Sequence, residues 1–239
     1  MTEELFRDDA TLLACSATIT AVSERGIELD RTVFYPQGGG QAGDTGWLQR
    51  PDGAELQVTD TRKGAEAGRI LHLYPPEADL RGWQPGQPVQ ARIDAARREA
   101  HRRFHTATHL LCALVPHPVD GCSITAAYAR LDFHMTEPLD KDALNAGLAR
   151  LVAAAHPVTQ RWISDDELDA NPGLVRSMSV LPPRGQGRVR LIDVNGVDLQ
   201  PCGGTHVANT ADIGPVIVTK IEKKSAKTRR VVLGFAQPA

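Results

Sequence analysis

Two pairs of metal-binding residue types stand far apart in this sequence. His105 and His109 are four residues apart in a stretch predicted to be helical, so their imidazoles project from one face and can reach one metal ion. Cys202 and His206 flank a glycine pair, which lets the backbone fold sharply enough to aim a thiolate and an imidazole at one point. Each pair alone arises often by chance, and partly buried or solvated histidines are the simpler interpretation of the first.

Taken together, the two pairs supply one sulfur and three nitrogens. This is the number and softness of ligands that Zn²⁺ takes in proteins, at distances of about 2.0 to 2.3 Å. The sequence therefore predicts one Zn²⁺ per chain, with His105, His109, Cys202 and His206 as its ligands. The long separation of the pairs excludes a compact zinc finger, so the fold must bring a helix and a loop together.

Other interpretations of these residues fail on detail. The helix of a zinc protease requires Glu beside its first histidine, and Thr106 takes that place here. A Cys/His nucleophile pair would need Cys202 free and activated, whereas His206 is better explained as its co-ligand. His101 is expected to face solvent or phosphate rather than the metal. Its neighbours are four arginines: Arg97, Arg98, Arg102 and Arg103.

The residues before the helix are predicted to form a β-domain over residues 1–93, as a small barrel or meander. Short β-branched runs alternate there with Gly, Pro and Asp clusters. The predicted strands are Thr11–Val22, Gly26–Asp30, Val33–Phe34, Gly46–Leu48, Glu55–Val58, Ile70–Leu73 and Val89–Ile93.

Both ligand pairs fall in a second predicted domain, residues 94–239. Asp94 can cap a helix over Ala95–Leu114, which consists of good helix formers and ends before Pro116. Helices interspersed with strands indicate an α+β fold, here a two-layer domain with a central antiparallel sheet. The other predicted elements are strands at Ala127–His134, Val158–Ile163, Val189–Val194, Val216–Glu222 and Arg229–Phe235, and helices at Leu139–Ala155 and Asp165–Ala170.

Composition excludes several classes of protein. The 239 residues are 41% hydrophobic and 23% charged with a net charge of −2, which is typical of a globular chain without a global basic field. The first residues are acidic, and no apolar run approaches the length of a membrane span, so no membrane partner is expected. Four cysteines in a chain of this length indicate a reduced compartment, and a cytoplasmic protein is expected.

Longer runs of this sequence match a known protein family. They resemble the editing domain shared by alanyl-tRNA synthetases and the freestanding AlaX proteins, with the glycine-rich β-domain that precedes it. The resemblance covers about residues 10–235, and the length fits the medium form of AlaX. The matching runs are Arg103–Leu111 (RFHTATHLL), Asp198–Val207 (DLQPCGGTHV), Thr32–Gly46 (TVFYPQGGGQAGDTG), Ala129–Phe133 (ARLDF) and Asn209–Gly214 (NTADIG).

The resemblance implies hydrolysis of mischarged tRNA(Ala) in trans, chiefly Ser-tRNA(Ala), with Gly-tRNA(Ala) as the open alternative. A buried polar partner for the serine hydroxyl would be left unpaired by alanine, which costs about 1 to 3 kcal/mol. Ser123 is the first candidate for that partner, because the family lines its aminoacyl pocket with this segment. The other candidates are Thr106, Thr108 and Thr125, although hydroxyls bonded to the helix backbone are an equally good interpretation of Thr106 and Thr108.

Contacts with tRNA are predicted at three places. The backbone amides of Gly38, Gly39 and Gly40 can approach the acceptor end of the tRNA. Arg102 and Arg103 lie near the first ligand pair in sequence and can contact phosphates. The third place is a basic tail with Lys223, Lys224 and Arg229. A solvated charged face is an equally good interpretation of the tail. Monomer and homodimer both stay open.

Two alternatives to a deacylase also stay open. Four protein ligands are typical of a closed structural zinc site, whereas hydrolytic sites keep one position open. A non-catalytic module that binds tRNA or another partner and retains structural zinc is therefore the second hypothesis. A hydrolase of small esters or amides on the same scaffold is the third, and it would not need the basic clusters.

Overall fold

A computed structural model of the protein describes residues 1–175 and 187–236. These residues form a mixed α+β fold that is rich in sheet, with 40% strand and 22% helix, so the predicted class is confirmed. The chain forms two compact units. Unit 1 comprises residues 1–38 and 42–99, and unit 2 comprises residues 39–41 and the described residues from 100 onward. The division into domains at residue 93 stays a prediction.

Unit 1 is built on a seven-stranded antiparallel sheet with the strand order β6-β5-β9-β2-β3-β8-β7. Two short strands, β1 and β4, pair in parallel as a separate ribbon. The elements are β1 Glu3–Glu4, α1 Leu5–Asp8, β2 Ala14–Ser23, β3 Gly26–Leu29, β4 Arg31–Thr32, β5 Gly46–Gln49, β6 Glu55–Val58, β7 Asp60–Lys63, β8 Ile70–Leu73 and β9 Pro88–Ile93.

The large sheet of unit 1 ends at β6 and β7. No pairing joins these two strands in unit 1, all of whose residues are described, so a closed barrel is not found and the predicted barrel is not confirmed. Its core comes from strand residues that alternate inward, such as Ile19, Ile27 and Leu48. The polar strand β7 was not predicted, because Thr61 is its one buried residue.

The helix that carries the first ligand pair is confirmed as α2, Ala95–Leu114. The Asp94 side chain caps it by accepting a hydrogen bond from the Arg97 amide at 3.0 Å. One face of the helix is fully buried in the hydrophobic core, through Phe104, Leu110 and Leu111 among others. The helix is therefore a firm support for the side chains along it.

Unit 2 divides its strands between two antiparallel sheets, of order β10-β11-β16-β15 and β12-β13-β14, rather than one central sheet. The antiparallel pairing is confirmed. The elements after α2 are β10 Val119–Ile124, β11 Ala129–His134, α3 Lys141–Ala153, β12 Val158–Ile163, α4 Asp165–Asp169, β13 Val189–Val194, β14 Asp198–Pro201, β15 Val216–Ser225 and β16 Thr228–Phe235.

The four-stranded sheet has a core face and an outer face, because side chains alternate along each strand. Leu131 and Val231 pair on the core face and are buried in the same cluster as the apolar face of α2. Asp132 and Arg230 pair on the outer face. Strands β10 and β14 were not predicted.

Among the helices in the described part of the chain, none combines the length and the apolar character needed to cross a bilayer.

Candidate metal centre

The four predicted ligands lie together in unit 2. The possible ligand atoms of His105, His109, Cys202 and His206 all lie within 4.8 Å of one another. The first two project from α2, and the other two lie in the loop that follows β14. That loop is placed by the pairing of β14 with β13, in which Pro201 stands opposite Leu191. A helix and a loop therefore meet at one point, as the sequence required.

The spacing of the donor atoms suits a small tetrahedral ion. The Cys202 sulfur lies 3.3 Å from the Nε2 atoms of both His105 and His206. Metal–ligand bonds of about 2.0 to 2.3 Å at tetrahedral angles would place such atoms roughly 3.3 to 3.6 Å apart. One soft sulfur and three imidazole nitrogens at this spacing fit a metal ion of the zinc type.

Each histidine of the cluster has an oxygen partner at its Nδ1 atom, away from the sulfur. His105 Nδ1 lies 2.8 Å from Gln41 Oε1, and His109 Nδ1 lies 2.7 Å from Asp198 Oδ2. His206 Nδ1 lies 3.2 Å from the Thr106 hydroxyl. Oxygen partners of this kind orient metal-bound imidazoles and fix their tautomers. The cluster therefore has an organised outer layer as well as four converging donors.

The electrostatics of the cluster favour a thiolate at its centre. Burial would raise the pKa of the Cys202 thiol, but the adjacent imidazoles of His105 and His206 hold it well below its usual range. Burial would lower the pKa of His109, but its hydrogen bonds to Asp198 and Cys202 raise it to about 10. A thiolate is the form of cysteine that binds metals, so the charge of Cys202 suits a cation, whereas His109 must give up its proton to act as a ligand.

Hydrogen bonds from two arginines hold the backbone of the loop that carries Cys202 and His206. The buried guanidinium of Arg190 donates to the carbonyl oxygens of Cys202 and Gly204, at 3.1 and 2.8 Å. Arg102 Nε donates to the carbonyl oxygen of His206 at 2.9 Å. Gly204 has no room for a side chain, because a Cβ there would overlap the His105 ring. Gly204 is therefore needed for close packing on the helix.

Sequence reasoning missed the supporting residues of the centre. Gln41, Asp198, Arg190 and Thr205 are all buried around it. Asp198 and Thr205 fell inside the quoted motif around Cys202, so only their roles were missed. Gln41 stood in the glycine-rich run, and its contact with a residue 64 positions away leaves no local pattern.

The hydroxyl candidates for substrate recognition lie in different surroundings. The Thr106 hydroxyl donates to Arg102 O at 3.0 Å, and the Thr108 hydroxyl donates to His105 O at 2.7 Å. The Thr125 hydroxyl donates to Tyr128 O within the turn after β10. Ser123 pairs with Arg130 on the outer face of its sheet. Its neighbour Cys122 packs against the core, and burial raises the pKa of the Cys122 thiol to about 12.

The residues predicted to bind tRNA near the centre make close internal contacts. Arg103 Nε donates to Ile213 O at 2.7 Å, and its guanidinium lies 3.9 Å from the centre of the Phe235 ring. Arg102 holds the ligand loop, as described above. Gly39 and Gly40 have positive φ angles of 57° and 82°, whereas Gly38 has no such angle and has ordinary space around its Cα. Binding of tRNA by these residues stays a prediction.

The basic tail forms the hairpin of β15 and β16. Lys223 is exposed, and Lys224 Nζ lies 2.9 Å from Asp132 Oδ2 on the outer face. Arg229 is buried and donates to Ser225 O at 3.1 Å, which gives it a structural contact within the hairpin. The predicted cluster therefore does not form one exposed patch.

His101 lies elsewhere than the sequence predicted. Its side chain is buried rather than facing solvent, because the helix turns it toward the interior. It does not belong to the group of possible metal ligands found among the described residues.

Comparison with known proteins supports the resemblance found in the sequence. The sequence profile of the threonyl and alanyl tRNA synthetase second additional domain matches residues 189–232, and that of class II (A) tRNA synthetases matches residues 8–97. The first match includes Cys202 and His206, and the second includes the glycine-rich run.

The similar proteins fall in two groups, freestanding alanyl-tRNA editing proteins and alanine–tRNA ligases. The alanyl-tRNA editing protein AlaX-M of Methanosarcina barkeri is 34% identical, over 97% of this chain and 98% of the relative. AlaX-M of Saccharolobus solfataricus is 30% identical, over 97% and 98%. The alanine–tRNA ligase of Metallosphaera sedula is 33% identical over 93% of this chain, but the match spans 25% of the ligase.

Proposed function

Because this chain belongs to the AlaX-M family of alanyl-tRNA editing proteins, we propose that it deacylates mischarged tRNA(Ala) in trans, chiefly Ser-tRNA(Ala), with Gly-tRNA(Ala) as a second substrate. The observation that carries the proposal is the buried cluster of one sulfur and three imidazole nitrogens in unit 2. We place this activity in the cytoplasm, as expected from the reduced cysteines.

The metal of the proposed site is Zn²⁺, held by His105, His109, Cys202 and His206. A zinc ion there would supply a Lewis acid that polarises the ester carbonyl or a bound water. The chain's own contribution is orientation: Gln41, Asp198 and Thr106 hold the three rings.

The reaction itself is hydrolysis of an ester. The oxygen of water forms a bond to the acyl carbon, and the bond from that carbon to the ribose oxygen of the terminal nucleotide breaks. A proton from the water goes to the ribose oxygen, which leaves free amino acid and uncharged tRNA. We take the Thr108 hydroxyl oxygen, rather than that of Ser123, as the acceptor for the serine hydroxyl, because Thr108 follows His105 by three residues on α2 and its own hydrogen goes to His105 O. Alanine would leave that oxygen without its partner.

A second candidate function is favoured by the burial of the site. All four ligands come from the protein, three are buried and Cys202 is partly buried, which is typical of structural zinc. The chain would then bind tRNA(Ala) or another partner without hydrolysing the ester.

The test is deacylation of tRNA(Ala) charged with serine, glycine or alanine by the purified protein. We expect the protein to release serine and to leave Ala-tRNA(Ala) intact. The deacylation rate should fall by at least about 100-fold in Cys202→Ala and in His109→Ala. The mutation Cys15→Ala, in unit 1, is the matched control and should leave the rate unchanged. Zinc content is measured in each preparation.

Other results would change the conclusion. Zinc content near one per chain with no release of any amino acid would favour the non-catalytic module. Full deacylation activity in a zinc-free Cys202→Ala, His109→Ala double mutant would contradict every mechanism that depends on the metal. Turnover of small esters in preference to charged tRNA would favour the hydrolase of small molecules.

A further inference from the structure

We propose that Gln41 is a positioning residue of the metal centre, which fixes the tautomer and orientation of His105 and connects its ring to the ligand loop. The inference rests on the proposed zinc site, since it concerns how the chain prepares one of the ligands. Gln41 is fully buried and contacts two ligand-bearing segments at once: α2 through His105 and the loop through Thr205.

The orientation of the Gln41 amide follows from a backbone contact. The Thr205 amide nitrogen lies 3.1 Å from one terminal atom of the side chain, and a backbone N–H can only donate. That terminal atom is therefore the carbonyl oxygen Oε1. The other, Nε2, then donates to the Thr205 hydroxyl at 3.0 Å.

The tautomer of His105 follows from the same assignment. Because Oε1 accepts, the ring nitrogen 2.8 Å away, Nδ1, must carry a hydrogen. In the neutral ring the lone pair is then on Nε2, which lies 3.3 Å from the Cys202 sulfur. The hydrogen-bond chain from the Thr205 backbone through Gln41 thus presents the donor nitrogen of His105 to the metal position.

The glycine-rich run explains how Gln41 reaches this place. Gly40 has a φ of +82°, and a Cβ there would lie 2.7 Å from the Cys122 sulfur, so a side chain does not fit. Its carbonyl accepts from the Ile124 amide at 2.8 Å, and Gln41 forms a parallel bridge to Ile124 beside β10. The glycines let the backbone lie against this strand, from which Gln41 extends to the helix.

A role in packing alone makes a different prediction from a role in positioning. Leucine at position 41 fills similar space but cannot accept a hydrogen bond, whereas glutamate keeps the acceptor and can still accept from Thr205 N and His105 Nδ1. If the amide oxygen positions His105, the glutamate variant keeps metal affinity and the leucine variant loses it. If side-chain volume is what matters, the two variants behave alike.

The experiment measures zinc affinity of the full chain by competition with a chromophoric chelator. We expect Gln41→Leu to bind zinc 10- to 100-fold more weakly than the unaltered chain, which is the usual effect of losing an outer hydrogen bond to a metal ligand. Gln41→Glu should stay within about threefold of the unaltered chain. Gln37→Leu, at an exposed position of the same run, is the matched control and should change nothing.

Absorption of the Co²⁺-substituted proteins gives a second readout, because the visible bands of Co²⁺ report the geometry of its ligands. We expect altered bands in Gln41→Leu and nearly unchanged bands in Gln41→Glu. Equal zinc affinity in Gln41→Leu and the unaltered chain would overturn the inference, and so would equal losses in both variants. Absence of zinc binding by the unaltered chain would overturn the zinc proposal together with this inference, so the two failures are distinguishable.

Discussion

At the scale of single residues, the four candidate metal ligands could be grouped from the sequence, whereas their hydrogen-bond partners could not. His105 and His109 could be paired from their spacing alone, because a helix turns residues four apart to one face. Gln41 and Asp198 act through hydrogen bonds across 64 and 89 positions, and such contacts exist only once the chain has folded. The sequence therefore indicated which side chains converge but not which residues orient them.

Recognition of serine is a prediction at this same scale. Ser123, the first candidate from sequence, lies on the outer face of its sheet, whereas Thr108 is buried on α2, between His105 and His109 in sequence. We expect Thr108→Val to lower kcat/KM for Ser-tRNA(Ala) roughly tenfold, because a hydrogen bond worth about 1 to 3 kcal/mol is lost. The rate with Gly-tRNA(Ala) should change little, since glycine has no hydroxyl. Measured rates with both substrates give the comparison.

The control for this substitution is Thr125→Val, which removes a hydroxyl that serves a turn. Its effect should be the same on both substrates. A Thr108→Val enzyme with an unchanged ratio of serine to glycine rates would contradict the assignment of Thr108. A changed ratio in Ser123→Ala instead would restore the first candidate.

At the scale of elements, the strongly patterned ones were predicted and the polar or short ones were missed. Helix α2 and strand β13 have clear caps or apolar runs, and both lie where expected. Strand β10 contains Gly121 and alternates weakly, and β14 looked like the start of a motif loop. Their pairing with β11 and β13 comes from the tertiary fold, which no local pattern encodes.

On the outer face of the four-stranded sheet, the buried carboxylate of Asp132 pairs with two partly exposed cations, with a consequence for stability. Arg230 Nε lies 2.7 Å from Asp132 Oδ1, and Lys224 Nζ lies 2.9 Å from Oδ2. Burial would raise the pKa of Asp132, but these hydrogen-bonded cations hold it below its usual range. Because the folded pKa is depressed, the stabilisation is present above the unfolded pKa of about 4 and is lost as pH falls through the folded pKa.

We therefore expect Asp132→Asn to lower the free energy of unfolding by about 2 kcal/mol at pH 7. The difference from the unaltered protein should shrink as the pH is lowered below about 4, since both chains then have a neutral side chain at this position. Urea unfolding at a series of pH values measures it. Asp52→Asn, which removes an exposed pair with Arg50, is the control and should have a much smaller effect. A difference that is constant with pH would contradict the ionic origin.

At the scale of the whole molecule, the net charge of −2 hides an uneven distribution. Several of the arginines singled out from sequence are committed to internal contacts, so they anchor the fold more than they present charge. Exposed lysines at the end of the β15–β16 hairpin, Lys223 and Lys227, are different, because their ammonium groups face solvent. If unit 2 contacts the phosphates of tRNA, these two residues are suitable points of contact.

Binding of tRNA should therefore lose salt dependence when these lysines are removed. Each phosphate contact contributes about 0.7 to 0.9 to the slope of log affinity against log salt, because a condensed counterion is released. We expect the double mutant Lys223→Ala, Lys227→Ala to reduce that slope by roughly 1.5. The measurement is tRNA affinity at a series of salt concentrations around about 0.1 M. The double mutant Arg25→Ala, Arg81→Ala removes the same charge from exposed positions of unit 1 and should leave the slope unchanged. Equal losses in both double mutants would indicate attraction by net charge alone, and an unchanged slope in the lysine mutant would move the phosphate contacts to another part of the molecule.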